Sequence, residues 1–153
     1  MELILWRHAD AEDGIGITDD ARALTKKGLR QAAGMAEWLR PRLDGPWRIL
    51  VSPARRALET LEPLGMPGEI TKEVGTGADD RRVLLAAGWP DGERVIVVGH
   101  QPTLGQVAGR LMGGDGEVSF RKGAIWWFAT RTRGGEEGTI LKAVMNPEML
   151  EAD

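Results

Sequence analysis

This chain of 153 residues contains two histidines, and each stands directly behind an apolar run. Arg7-His8 follows Leu3-Ile4-Leu5-Trp6, and Gly99-His100 follows Val95-Ile96-Val97-Val98. A third segment, Ser52-Pro53-Ala54-Arg55-Arg56, follows the shorter run Ile49-Leu50-Val51. Imidazole and guanidinium in this combination suit phosphoryl chemistry. A neutral imidazole attacks phosphorus, and its ordinary pKa of about 6.5, opposed further by adjacent arginine cations, leaves it a free base at neutral pH. Arginine adds a fixed charge and a planar donor fork matched to phosphate oxygens. One histidine can then attack while the second, with the arginines, stabilises charge on the equatorial oxygens. A dinuclear metal centre fits poorly, because two histidines without cysteine or a nearby carboxylate set are too few good ligands.

These groups can meet only if the chain brings its strand ends together. Four large apolar residues in Leu3 to Trp6 suit a strand covered on both faces, and Val95 to Val98 is the clearest buried strand, all β-branched. Arg48 to Val51 reads as a second strand and Glu69 to Val74 as a third, partly exposed one. Between them, Thr25 caps a helix whose stripe is Leu29, Ala32, Ala33, Ala36 and Leu39, ended by Pro41. Ser52-Pro53 reads as a hydroxyl cap with proline at the first helical position, opening a helix that buries Ala57, Leu61 and Leu64. A short helix is expected near Asp79 to Ala87, and another from Pro102 with stripe Leu104, Val107, Ala108 and Leu111. Strands at Ala124 to Thr130 and Thr139 to Met145 flank Gly134 to Gly138, a hairpin-like return, with the Trp126 and Trp127 rings on opposite faces. The βαβα alternation predicts an α/β single domain over residues 1–153, a three-layer α/β/α sandwich with a mostly parallel sheet. In such a sheet all carboxyl ends of the parallel strands lie on one side, where open α/β sheets bind ligands, so the three segments converge there.

Composition narrows the partners. Twenty basic and 23 acidic residues are mixed along the chain, giving a net charge of −3 and no overall attraction to nucleic acid or to an anionic membrane surface. No signal-type apolar core opens the sequence, and no apolar run approaches the roughly 20 residues of a membrane span, so a soluble, cytoplasmic protein is expected. Absence of cysteine removes disulfides and thiolate nucleophiles.

The motifs resemble those of the histidine phosphatase superfamily, the phosphoglycerate mutase-like proteins. Its Arg-His-Gly or Arg-His-Ala motif reads Arg7-His8-Ala9 here, and its Ser-Pro-x-x-Arg-Ala-x-x-Thr element reads Ser52-Pro53-Ala54-Arg55-Arg56-Ala57-Leu58-Glu59-Thr60. Gly99-His100 matches the third element, and Leu24 to Gly28 the segment that opens the first helix. The short chain and the Met145-Asn146-Pro147 ending look most like the SixA-like phosphohistidine phosphatases. The resemblance implies a phosphoglycerate mutase-like fold and a metal-independent phosphatase without cofactors. It makes His8 the nucleophile that forms a phosphohistidine intermediate, and makes Arg7, Arg56 and His100 the phosphoryl-binding groups. It implies a phosphohistidine-bearing protein as substrate and partner, and leaves the oligomeric state open. Gln101 is a further phosphate-binding candidate, whereas Arg55, one residue off the motif, and Lys122 read as surface cations. Larger relatives use an acidic residue as proton donor; Glu73 is the first candidate here, with Asp79, Glu12 and Asp10 also open. Hydrolysis or mutase-like transfer on a small phosphate monoester, and a non-catalytic phosphate-binding module, remain alternative readings.

Overall fold

In the computed structural model, which describes residues 1–151, six strands form one sheet in the order β3-β2-β4-β1-β5-β6. The elements along the chain are β1 (Glu2–Arg7), α1 (Lys26–Leu39), β2 (Arg48–Val51), α2 (Arg55–Leu61), β3 (Glu69–Ile70), α3 (Asp80–Ala87), β4 (Arg94–Gly99), α4 (Thr103–Leu111), β5 (Ile125–Arg133) and β6 (Glu136–Met145). The pairs β3–β2, β2–β4 and β4–β1 are parallel, and the last two strands add antiparallel at the β1 edge.

The period-two alternation of β1 explains the layers. Leu3 and Leu5 pack with Val95, Val97, Val83 and Val107 on the α3/α4 face, while Ile4 and Trp6 pack with Ile96, Val98, Met35 and Leu61 on the α1/α2 face. All four β1 side chains are fully buried, which contributes about 1.5–3 kcal/mol for each aliphatic one. Trp126 and Trp127 divide between the same two faces, as strand alternation requires. The expected three-layer α/β/α architecture is therefore present, with a mostly parallel sheet. Among the described residues no helix is long and apolar enough to cross a membrane.

Four local expectations are corrected. Helix α2 begins at Arg55, not Pro53: Ala54 is its N-cap, and the Ser52 hydroxyl accepts from the Ala54 amide at 3.1 Å in a tight turn before the helix. The third strand stops at Ile70, because the Thr71 side chain accepts from the Glu73 amide and turns Lys72–Val74 into a 3₁₀ helix. In α1 the Thr25 hydroxyl caps the Gly28 amide at 2.9 Å, but Leu29 and Ala33 are exposed and Gly28, Ala32, Met35, Ala36 and Leu39 form the buried stripe. The stripe is rotated because Gly28 lies directly on the loop after His8, where an added Cβ would fall 1.9 Å from the Asp10 carbonyl oxygen. Finally, β5 and β6 run on to Arg133 and Glu136, so that only Gly134 and Gly135 form the turn, both with positive φ, as a two-residue hairpin return demands.

Candidate active site

Parallel pairing of β1 with β4 sets Arg7 opposite Gly99, and the His8 amide donates to the Gly99 carbonyl at 3.0 Å. The two histidines therefore leave adjacent strands at the same level, with ring centroids 5.3 Å apart and planes at 54°. The Ser52 amide donates to the Val98 carbonyl at 3.1 Å, which brings the turn before α2 to the same sheet edge. All three segments meet at the carboxyl ends of β1, β4 and β2.

His8 Nδ1 lies 2.7 Å from the Ala9 carbonyl oxygen. A carbonyl only accepts, so Nδ1 carries the proton and Nε2 bears the lone pair of the neutral ring. Burial above all, then repulsion from Arg56, Arg7 and Arg22, pushes the His8 pKa down to about 4, against the opposing pull of the Ala9 hydrogen bond. His100 is pushed down to about 3, again mainly by burial, then by His8 and Arg56. Its Nε2 sits 2.7 Å from Ser52 Oγ. The Ser52 oxygen accepts from the Ala54 amide and keeps its one hydroxyl proton to donate; when it donates to Nε2, the ring proton of neutral His100 sits on Nδ1.

The arginines are fixed by their own contacts. Arg7 Nη1 donates to the Phe120 carbonyl at 2.7 Å. Arg56 is 4% exposed despite its charge, and its fork is held by Asp19: Nη1 donates to the Asp19 carbonyl at 2.7 Å and Nη2 to its carboxylate at 2.9 Å. Asp19 also accepts from Arg22 Nη1 at 3.1 Å, and hydrogen bonds from Arg56, then Arg22, hold its carboxyl below the usual range. Among the described residues, five buried side-chain nitrogens have no hydrogen-bond partner within the protein, and three of them are Arg7 Nε, Arg56 Nε and His100 Nδ1. Buried donors are normally paired, so three unpaired ones beside His8 make a place where an oxyanion would be strongly stabilised.

Other expected residues lie elsewhere. Gln101 is committed at both ends of its amide, donating to the Val118 carbonyl at 2.9 Å and accepting from the Gly105 amide at 2.8 Å, and so is not free to bind phosphate. Glu73 is exposed, and its pairing with Arg82 Nε at 3.1 Å lowers its pKa, the opposite of what a proton donor needs. Asp79 caps α3 by accepting from the Arg82 amide, and Asp10 is held by Thr25 and Lys122, whose hydrogen bonds lower its pKa. The Glu12 carbonyl accepts from Arg22 Nε at 2.6 Å, and the Arg55 side chain points outward to Glu59 at 3.6 Å. Asp19 and Arg22 are contributors that sequence reasoning did not single out, and the Ser52 hydroxyl, read from the sequence only as a helix cap, also meets His100. Among the described residues there is no group of three or more His, Cys, Asp or Glu side chains that could hold a metal ion.

The family model for the histidine phosphatase superfamily (branch 1) matches residues 3–83, which contain the Arg7-His8 and Ser52–Arg56 segments. The chain belongs to the histidine phosphatase superfamily. It is accordingly a phosphatase, a hydrolase of the histidine phosphatase type. Among curated relatives, phosphohistidine phosphatase SixA of Escherichia coli is 32% identical over 134 residues, covering 82% of this chain and 83% of the relative. Among solved structures, protein histidine phosphatase SixA complexed with tungstate superposes with a TM-score of 0.79 at 26% identity, covering 99% of this chain and 100% of that one. A SixA-like protein from Nakamurella multipartitia gives 0.77 at 25% identity, with 95% of both chains covered. This phosphatase thus shares its fold with SixA structures over nearly its whole length.

Proposed function

We propose that this phosphatase hydrolyses phosphohistidine carried by a protein, through a covalent intermediate on His8. The observation that carries this reading is the set of unpaired buried donors, Arg7 Nε, Arg56 Nε and His100 Nδ1, gathered around a neutral His8 whose lone pair is on Nε2. In the first step His8 Nε2 forms a bond to phosphorus as the bond from phosphorus to the substrate nitrogen breaks, its electron pair leaving with that nitrogen. Arg7, Arg56 and the His100 Nδ1–H stabilise the equatorial oxygens as charge spreads over them. Arg56 Nε is the donor free for those oxygens, because Nη1 and Nη2 are held by Asp19. Water then attacks phosphorus, the bond to His8 Nε2 breaks, and phosphate leaves with the water-derived oxygen and proton.

Leaving-group chemistry favours phosphohistidine over an alkyl phosphate. A substrate imidazole already protonated on its second nitrogen departs neutral and asks no acid of the protein. The carboxylates nearest the site, Asp19 and Asp10, are tied to cations that keep them ionised. An alkoxide leaving group needs a proton, and neither carboxylate is poised to give one. The SixA relatives, named for phosphohistidine, support the same choice.

The test is to incubate the protein with a ³²P-phosphohistidine peptide and quench rapidly. The expected label is stable to alkali, labile to acid, maps to His8 and vanishes in His8→Ala together with turnover. Label on another residue, or turnover that persists in His8→Ala, overturns the mechanism. Faster hydrolysis of alkyl phosphates than of phosphohistidine overturns the substrate.

A further inference from the structure

Beside the catalytic centre, on the α1 side of β1, lies a cleft of about 520 Å³ that shares Arg7 with it. Its walls come from three places: Asp10 from the loop after His8, Lys27 from the first turn of α1, and Arg121 and Lys122 from the segment that enters β5, with Glu148 closing the rim. In a chain of net charge −3, four cations face two carboxylates here.

The pairing inside the cleft leaves a surplus. Lys122 Nζ is 2.9 Å from Asp10 Oδ1, and Arg121 Nε is 2.9 Å from Glu148 Oε1. Lys27 has no carboxylate within ion-pair distance among the described residues, and Arg7 donates only to a neutral carbonyl. Arg121 and Glu148 are 71% and 44% exposed, so their pair opens readily to a competing carboxylate. A polar, cationic hollow that shares an arginine with the phosphoryl site can hold a second anionic group of the same substrate only a few side chains away.

We infer that this cleft reads acidic side chains flanking the phosphorylated histidine of the substrate protein, with Lys27 and Arg121 as its specificity-determining cations. The inference rests on the phosphohistidine reading of the site. It commits to a polypeptide source for the carboxylates because the cleft is open to solvent and its cations lie on three separate segments, a spread that suits successive side chains of an extended strand. Contacts of this kind act on encounter and KM rather than on the chemical step, and they weaken with salt.

The experiment compares two phosphohistidine peptides, one with Glu and Asp around the histidine and one with Gln and Asn, alongside phosphoramidate as a substrate too small to reach the cleft. The native protein is expected to favour the acidic peptide about tenfold in kcat/KM at low salt, through KM, with the preference fading above roughly 0.5 M salt. In Lys27→Glu/Arg121→Glu the ratio is expected to fall to about 1 or below, and Lys142→Glu, on the distant β6 strand, keeps it at the native value. Circular dichroism confirms folding of each variant. Equal native rates on the two peptides, or a ratio unmoved by the double variant, overturn the cleft assignment while phosphoramidate turnover leaves the catalytic reading standing. Absence of turnover on phosphoramidate and both peptides overturns the catalytic reading itself.

Discussion

Stability between pH 7 and pH 5 should report directly on the two buried histidines. His8 and His100 are 8% and 5% exposed, and their pKa values are pushed down to about 4 and about 3, mainly by burial. In the unfolded chain both return to about 6.5 and bind protons below that pH, while the folded state does not. The unfolded state therefore binds more protons throughout this window, so stability is present above about pH 6.5 and falls as pH drops toward the folded values. Integrating for one ring gives a loss of about 2 kcal/mol between pH 7 and pH 5, or about 4 kcal/mol for the two rings as an upper figure, since each raises the cost of charging the other. Asp10 and Asp19 have lowered pKa values, so their contribution disappears only at more acidic pH and leaves this window to the histidines. Urea denaturation at the two pH values measures the loss, and a His8→Asn/His100→Asn variant should remove most of it. Proton–carbon NMR follows the two ring signals, the only histidine pair in the chain, as a direct check. A loss below about 1 kcal/mol, or a ring titrating near 6.5, would refute the claim that burial holds these imidazoles neutral.

Three substitutions address separate parts of the site. Arg56→Ala should lower kcat by about 10²–10³, the usual loss for one preorganised charge-stabilising group, read by steady-state turnover of a phosphohistidine peptide. Asp19→Ala frees the Arg56 fork from its internal carboxylate; because Asp19 is 58% exposed, the gain is only about 0.5–1 kcal/mol, seen as roughly two- to fivefold tighter inhibition by inorganic phosphate. Weaker phosphate inhibition would instead show that Asp19 aligns Arg56 for the substrate. Glu73→Gln should leave turnover within about twofold, since its carboxylate is exposed and paired with Arg82; a drop of tenfold or more would return it to the reaction.

The convergence of Arg7, His8, Arg56 and His100 was legible because each sits a fixed step beyond an apolar strand, and parallel strands expose their carboxyl ends on one side. Thr25 was legible as a cap for a similar local reason. Asp19 was not, since its partner Arg56 lies 37 residues away and an acidic residue in a Gly-containing loop carries no periodic signal. The one available hint was its place in the polar stretch that follows the histidine motif. Ser52 was noticed for the wrong contact: its hydroxyl does serve a nearby amide, but its second partner is His100, a pairing that only the β2–β4 neighbourhood creates. Glu73 misled because a strand extending to Val74 was expected to deliver it, and the turn at Thr71 sends it to Arg82 instead.

The single rung that sets Arg7 opposite Gly99 also dictates where this chain can change length. Adding or deleting one residue within β1 would swing His8, and within β4 His100, to the opposite face of the sheet, because side chains alternate with every step. The stretches between strands carry no such constraint, so the loop from Glu12 to Thr18 or the turn at Gly113 to Gly116 can gain or lose residues without moving either imidazole. The distance from strand to histidine is a ruler that allows no slack, whereas the distance from one histidine to the other along the chain is free to drift.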